Sequence, residues 1–284
     1  MGSSRASLLL MAPGLLWLGV FMVAPCLLVF GLMFFERGVY GGIDWDAPTL
    51  ENFHRAIDPL YLRIFLDSGR IAGLATAVAL LIGYPAAYAI AKAPERTRTV
   101  LLFLAILPFW TNYLIRTYAW IVLLNPAGLV NGALQGLGLP ALPLLYNEFA
   151  VVLGLVYNYT PFVILAIYSA LQRLDSSLPE ASRDLGASAF TTFMRITLPL
   201  TAPGVAAGAV FVFVLSIGNF LTPDLLGGGK FQMVGNLVYD QFLSARDWPF
   251  GATLSAILIA VMMGLLFLQA VFSSKARGEH AAAA

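Results

Sequence analysis

Arg173 to Val205 reads RLDSSLPEASRDLGASAFTTFMRITLPLTAPGV, between apolar runs at Phe149–Leu171 and Pro203–Leu221. A plain connection there would be short and polar. Here Pro179 marks a start, and Glu180 and Asp184 fall four apart on one face of a helix. Ala181, Leu185 and Ala189 take a neighbouring apolar face. Gly186 within that helix would cost about 1 kcal/mol against Ala, which implies a bend or a close approach by another backbone. Phe190, Phe193, Ile196 and Leu198 form a second apolar set, and Pro199 and Pro203 mark the return to apolar chain. By composition alone, such a segment either docks a soluble partner or lies on lipid.

What flanks it is membrane. Of 284 residues, 60% are hydrophobic and 11% charged, less than half the roughly 25% charge of a soluble domain. That excludes a disordered chain, a conventional soluble enzyme and a nucleic-acid binder that relies on a broad basic surface. Six stretches suit a span of about 20 apolar residues: Leu8–Phe35, Ile71–Ala91, Val100–Leu124, Phe149–Leu171, Pro203–Leu221 and Phe250–Val271. The fold class is therefore an all-α polytopic membrane protein of six helices, read as one transmembrane domain over 1–284. The first stretch stays apolar well beyond the core of a cleaved signal, so it reads as a retained helix. Cys26, the only cysteine, reads as a small core residue. With two His besides, no metal site is expected.

Placing the N-terminus in the cytoplasm leaves nine Lys/Arg inside and seven outside. Three of the inside cations are packed into Lys92–Arg98. By that bias both termini are cytoplasmic and the 173–199 segment is an inside one. The outer segment Glu36–Arg70 reads as loop plus a short amphipathic piece, and Asn125–Glu148 is turn-rich.

The insert also carries a resemblance. Glu180-Ala181-Ser182, then Gly186, then Ile196-Thr197-Leu198-Pro199 resembles the EAA signature of bacterial ABC importer permeases, with Ser182 in place of the second Ala. Pro108-Phe109-Trp110-Thr111-Asn112-Tyr113 through Trp120, and Asn219-Phe220-Leu221-Thr222-Pro223-Asp224 through Gly228, resemble segments of the spermidine/putrescine branch. The similarity implies the type I ABC importer permease fold in a bacterial inner membrane. It implies a coupling role for Glu180, Ala181, Ser182, Asp184, Leu185, Gly186 and Ala189 against a cytoplasmic ATPase. The implied partners are two ATPase subunits, a second homologous permease and a periplasmic binding protein, beside membrane lipid and without nucleic acid. Related permeases for iron, thiamine and aminoethylphosphonate share parts of the pattern.

This chain is not expected to be an enzyme or to bind a cofactor; ATP and magnesium would sit on the partners. Gly227-Gly228-Gly229-Lys230 lacks the spacing and the Ser/Thr of a phosphate loop. A polyamine route needs acids, acceptors and aromatic faces, which attract ammonium by about 0.5–2 kcal/mol. Polar groups within spans tend to face a cavity or a neighbouring helix. The candidates are Trp110, Asn112, Glu148, Tyr157, Asn158, Tyr159, Asn219 and Asp224. Each also has an ordinary reading, as belt aromatic, packed amide or surface carboxylate. Arg116 is awkward for a cation route: it is expected to pair locally, with an acid or helix carbonyls, or to sit outside the path, with an anion-binding role as the alternative. A channel or membrane anchor without an ATPase partner is the alternative from another class; it would not need the insert's spacing.

Overall fold

The computed structural model describes residues 3–282, with side chains over 11–271. Ala283 and Ala284, and the side chains of Arg5, Lys275, Arg277 and His280, lie outside the described residues. In chain order the elements are α1 (Ser3–Leu18), a π-type turn (Gly19–Val23), α2 (Ala24–Leu32), β1 (Phe35–Arg37), β2 (Ile43–Pro48), α3 (Glu51–Ala56) and α4 (Pro59–Lys92). Then follow α5 (Glu95–Ile106), a 3₁₀ turn (Leu107–Trp110), α6 (Tyr113–Leu124), α7 (Leu129–Gly136) and α8 (Glu148–Leu171). The last group is α9 (Ser177–Asp184), α10 (Ala189–Thr192), a π-type turn (Phe193–Thr197), α11 (Leu198–Ile217), α12 (Leu221–Gly227), α13 (Val234–Leu243) and α14 (Trp248–Ala282). Among the described residues six helices are long and apolar enough to cross a membrane.

Backbone contacts divide the chain into two compact units. One comprises Met1–Arg63 with Leu237–Ala260. Here the segment after the first span is more ordered than a loop: β1 and β2 pair antiparallel, and Asn52 on α3 donates to the Phe35 carbonyl at 2.9 Å. Arg55 bonds the buried Asp247 carboxylate at 2.9 Å and lies 4.0 Å over the Phe250 ring. Cys26 is exposed rather than core, because the apolar face it shares has no protein partner in this chain.

The other unit comprises Ile64–Asn236 with Val261–Ala284. Its centre is α8: 61% of its apolar stretch is buried, against 33% for the α4 span and 28% for the one that includes α11. Small residues let neighbours approach it closely, the usual solution where lipid supplies no hydrophobic drive. A Cβ on Gly204 of α11 would stand 2.4 Å from the Ala170 Cβ of α8, and one on Gly83 of α4 would stand 2.6 Å from Val163. The buried Tyr84 hydroxyl on α4 meets the Thr201 hydroxyl on α11 at 2.8 Å.

Four boundaries differ from the sequence reading. The second helix starts at Pro59 rather than Ile71, so part of the segment read as an outer loop is helix. The stretch Val100–Leu124 is not one helix; it breaks at Leu107–Asn112. Pro108 has no N–H for the helical ladder, and Asn112 caps a new helix by accepting the Leu114 N–H at 2.8 Å. The fifth helix runs through Ala189–Ile217 and stops before Leu221. Pro199 follows directly on the π-type turn Phe193–Thr197, where the ladder is already re-registered, so the helix continues past it. Finally, Gly186 is not mid-helix. α9 ends at Asp184, and Gly186 takes a left-handed φ of +84°. Its N–H bonds the Arg183 carbonyl at 2.9 Å while that of Ala187 bonds Ser182 at 3.1 Å, a Schellman stop. A Cβ on Gly186 would meet nothing within 4 Å, so backbone conformation, not close approach, explains the glycine.

Candidate functional site

Two helix breaks in the larger unit meet. At the first, the Pro108 carbonyl freed by the turn accepts from Thr111 Oγ1 and from Arg116 Nη1, each at 2.7 Å. Arg116 thus pairs with a helix carbonyl, and its guanidinium carbon lies 5.5 Å from the Phe109 ring and 5.6 Å from the Tyr113 ring. At the second, α11 stops at Ile217 and α12 starts at Leu221. Asn236 Nδ2 donates to the Phe220 carbonyl at 2.6 Å. Gly235 packs onto the carbonyls of Gly218 and Asn219, where a Cβ would come within 2.7 Å.

Asn219 joins the two breaks. Its Nδ2 donates to the Tyr113 hydroxyl at 2.7 Å and to the Tyr159 hydroxyl at 2.6 Å. Its Oδ1 accepts the Thr222 N–H at 2.9 Å, and the Tyr113 and Thr222 hydroxyls bond each other. The start of α6, the middle of α8 and the start of α12 are therefore tied by one network of neutral groups. Each member supplies what another lacks, which matters because an unpaired polar group away from water costs about 1–3 kcal/mol. Discontinuous spans whose ends point inward are a recurring way to build a site at membrane depth.

Of the eight candidate route residues, Tyr159 and Asn219 come together here. Asn112 lies on the first break as the cap of α6. Trp110 is exposed and stacks edge-on with Phe103, and Tyr157 does so with Trp120. Asn158 is 3% exposed, and its Oδ1 is buried without a hydrogen-bond partner. Glu148 is paired with Arg70 at 2.8 Å, and Asp224 is exposed on α12. Tyr113, Thr222 and Asn236 escaped the sequence reading. Tyr113 and Thr222 both stand inside stretches quoted for the family resemblance, but alone they look like a belt aromatic and a helix-start residue.

At the insert, Glu180, Ala181, Asp184, Leu185 and Ala189 are all exposed. Leu185 is 89% and Phe190 70% exposed, an apolar pair with nothing of this chain over it. Ser182, the departure from the signature, bonds Thr192 hydroxyl to hydroxyl at 3.1 Å and so ties α9 to α10. From there Phe193 packs edge-on against Tyr84 and Tyr88 of α4, at 5.3 and 5.8 Å between centroids. The segment is thus in contact with the packed spans. Asp175, ahead of α9, accepts the Ser177 N–H at 3.0 Å; that bond holds its carboxyl below the usual carboxylate range.

Six apolar helices, with the start of the third and the end of the fifth tied to each other through Tyr113 and Asn219, define a multi-pass membrane protein. The chain belongs to the family of binding-protein-dependent transport system inner membrane components, which matches residues 79–278. Membership sets aside the channel and anchor alternatives. Over 254 residues it is 43% identical to the spermidine/putrescine transport system permease protein PotB of Escherichia coli strain K12, covering 89% of this chain and 92% of that one. The PotB of Haemophilus influenzae is 44% identical over 255 residues, 89% and 88% of the two chains. Among solved structures, a bacterial alginate ABC transporter in complex with alginate pentasaccharide-bound periplasmic protein superposes with a TM-score of 0.76 at 17% identity, over 94% of this chain and 93% of that one. The fold is accordingly that of the type I ABC importer permeases, and the chain is a permease subunit that works with other subunits of a transporter.

Proposed function

We propose that this chain is a membrane-spanning subunit of an ATP-driven importer of polyamines, spermidine and putrescine. The observation that carries the substrate is the 43–44% identity to two PotB proteins across 89% of the chain. In this reading both termini are cytoplasmic in a bacterial inner membrane. A periplasmic binding protein delivers the polyamine, a second homologous permease completes the path, and two cytoplasmic subunits bind ATP and magnesium. This chain holds no cofactor and makes no covalent bond.

Glu180, Ala181, Ser182, Asp184, Leu185, Gly186 and Ala189 form the coupling surface. Exposed Leu185 and Phe190 favour a soluble partner over a bare connection. Movement of α9 and α10 would pass through Phe193 to Tyr84 and Tyr88 on α4.

The Asn219–Tyr159–Tyr113–Thr222 network is the closed gate of the route. Phenol and amide oxygens are acceptors for an ammonium donor, so an arriving polyamine can replace the bonds that hold the breaks together. Arg116, fixed beside Tyr113, opposes passage of a cation until the helices part. Trp110, Asn112, Tyr157, Asn158 and Asp224 border the approach.

The test is ATPase turnover of the assembled transporter in nanodiscs, with binding protein and with spermidine, putrescine or thiamine. Polyamine-stimulated turnover that Glu180→Lys abolishes is expected. Stimulation by thiamine alone would discard the polyamine; absence of assembly with any ATPase would discard the importer.

A further inference from the structure

A groove of about 440 Å³ lies between α4 and α8. Leu74, Val78 and Ile82 line it at four-residue spacing from α4, and Phe149, Val152 and Val156 line it from α8. All six lie in membrane-spanning helices. At one end Glu148 Oε2 accepts from Arg70 Nη2 at 2.8 Å. Arg70 directly precedes the apolar run that begins at Ile71, and Glu148 is the first residue of α8, so this pair stands where the spans leave the hydrocarbon. The pair is open: the Arg70 side chain is 59% and the Glu148 side chain 30% exposed.

We propose that this groove is a phospholipid site that holds one acyl chain, with the lipid phosphate on Arg70 and an ethanolamine ammonium on Glu148. Three features carry the assignment. The walls are apolar over more than two helical turns, and within a membrane the medium that fills such a wall is hydrocarbon chain. Only one nitrogen of the Arg70 fork is used by Glu148, which leaves exposed donors in the planar geometry that suits a phosphate. Charges of both signs at one mouth match a zwitterionic headgroup; an anionic headgroup would gain at Arg70 but face the Glu148 carboxylate. The headgroup therefore lies across the intact ion pair, its phosphate on the Arg70 donors that Glu148 leaves unused and its ammonium on the Glu148 carboxylate.

The experiment is native mass spectrometry of the whole transporter after extraction from nanodiscs of phosphatidylethanolamine, phosphatidylglycerol or both. Wild type is expected to retain phosphatidylethanolamine in preference. Arg70→Gln, at an exposed position, should retain about tenfold less, the equivalent of one charge-assisted bond. Leu74→Trp, also at an exposed position, fills the groove from the other side and should abolish retention. Glu148→Gln should shift the preference towards phosphatidylglycerol. Equal retention by wild type, Arg70→Gln and Leu74→Trp would overturn the site. So would a photo-crosslinker at Val152 that captures the second permease instead of lipid. Equal retention of both lipids by wild type would overturn the zwitterion assignment.

Discussion

Asn219 and Tyr159 are 60 positions apart in the chain, yet the amide nitrogen of one lies 2.6 Å from the hydroxyl of the other. The same nitrogen reaches Tyr113, so a single side chain closes two helix breaks. Removal of it leaves two phenols short of a donor and the Thr222 N–H short of an acceptor. Asn219→Leu should destabilise the closed arrangement by about 1–3 kcal/mol. In the gate reading, turnover without substrate then rises several-fold while stimulation by polyamine falls. Tyr159→Phe removes one bond only and should give a smaller change in the same direction. ATPase assays with and without spermidine check both; an unchanged basal rate in Asn219→Leu would sink the gate.

Gly186→Ala probes the stop of α9. A left-handed residue with a Cβ costs about 1 kcal/mol or more, and no neighbour obstructs a Cβ there. The expected result is an assembled transporter whose stimulated turnover drops, with Gly186→Asn, which tolerates the conformation better, falling less. If both variants match wild type, the turn is not needed for coupling.

Close packing of α8 on α11 predicts a different failure. Gly204→Val puts a branched side chain where a Cβ alone would stand 2.4 Å from Ala170. Overpacking of this kind costs about 1–3 kcal/mol, so thermal unfolding in detergent should shift downward. Ala170→Gly on the same chain should restore part of the loss, and a double-mutant cycle measures the coupling. Additive effects would mean that the two helices do not press together at this point.

Asp175 supplies a pH prediction. Its carboxyl is depressed by the Ser177 N–H, so the charged form is favoured in the folded protein. The stabilisation is present above the ordinary carboxylate value and is lost as pH falls through the depressed one. A carboxyl NMR titration should therefore give a midpoint below the ordinary value. Ser177→Pro deletes the donor and should move the midpoint back up. An unmoved midpoint would assign the shift to some other cause.

Much of the architecture is a property of local composition. Apolar run length counts the spans, and the helical spacing of Glu180 and Asp184 places the insert on a helix. The EAA-type pattern with its Leu198-Pro199 end named the family, since short motifs record constraints that their own neighbours impose. Gly186 shows where that reasoning stopped: the residue was legible as unusual, but a bend, a close approach and a left-handed stop look the same in one dimension.

How many helices cross a membrane, and in what class of transporter, the sequence determined by itself, because hydrocarbon thickness and backbone satisfaction act on each segment separately. Where the third span breaks, and which polar groups meet there, only the tertiary structure decided. Tyr113 and Asn219 are 106 positions apart, and a hydrogen bond at that separation depends on how α6, α8 and α11 pack. Packing of that kind depends on shape: on Gly204 beside Ala170, Gly83 beside Val163, and a proline whose missing N–H lets one helix end where another begins.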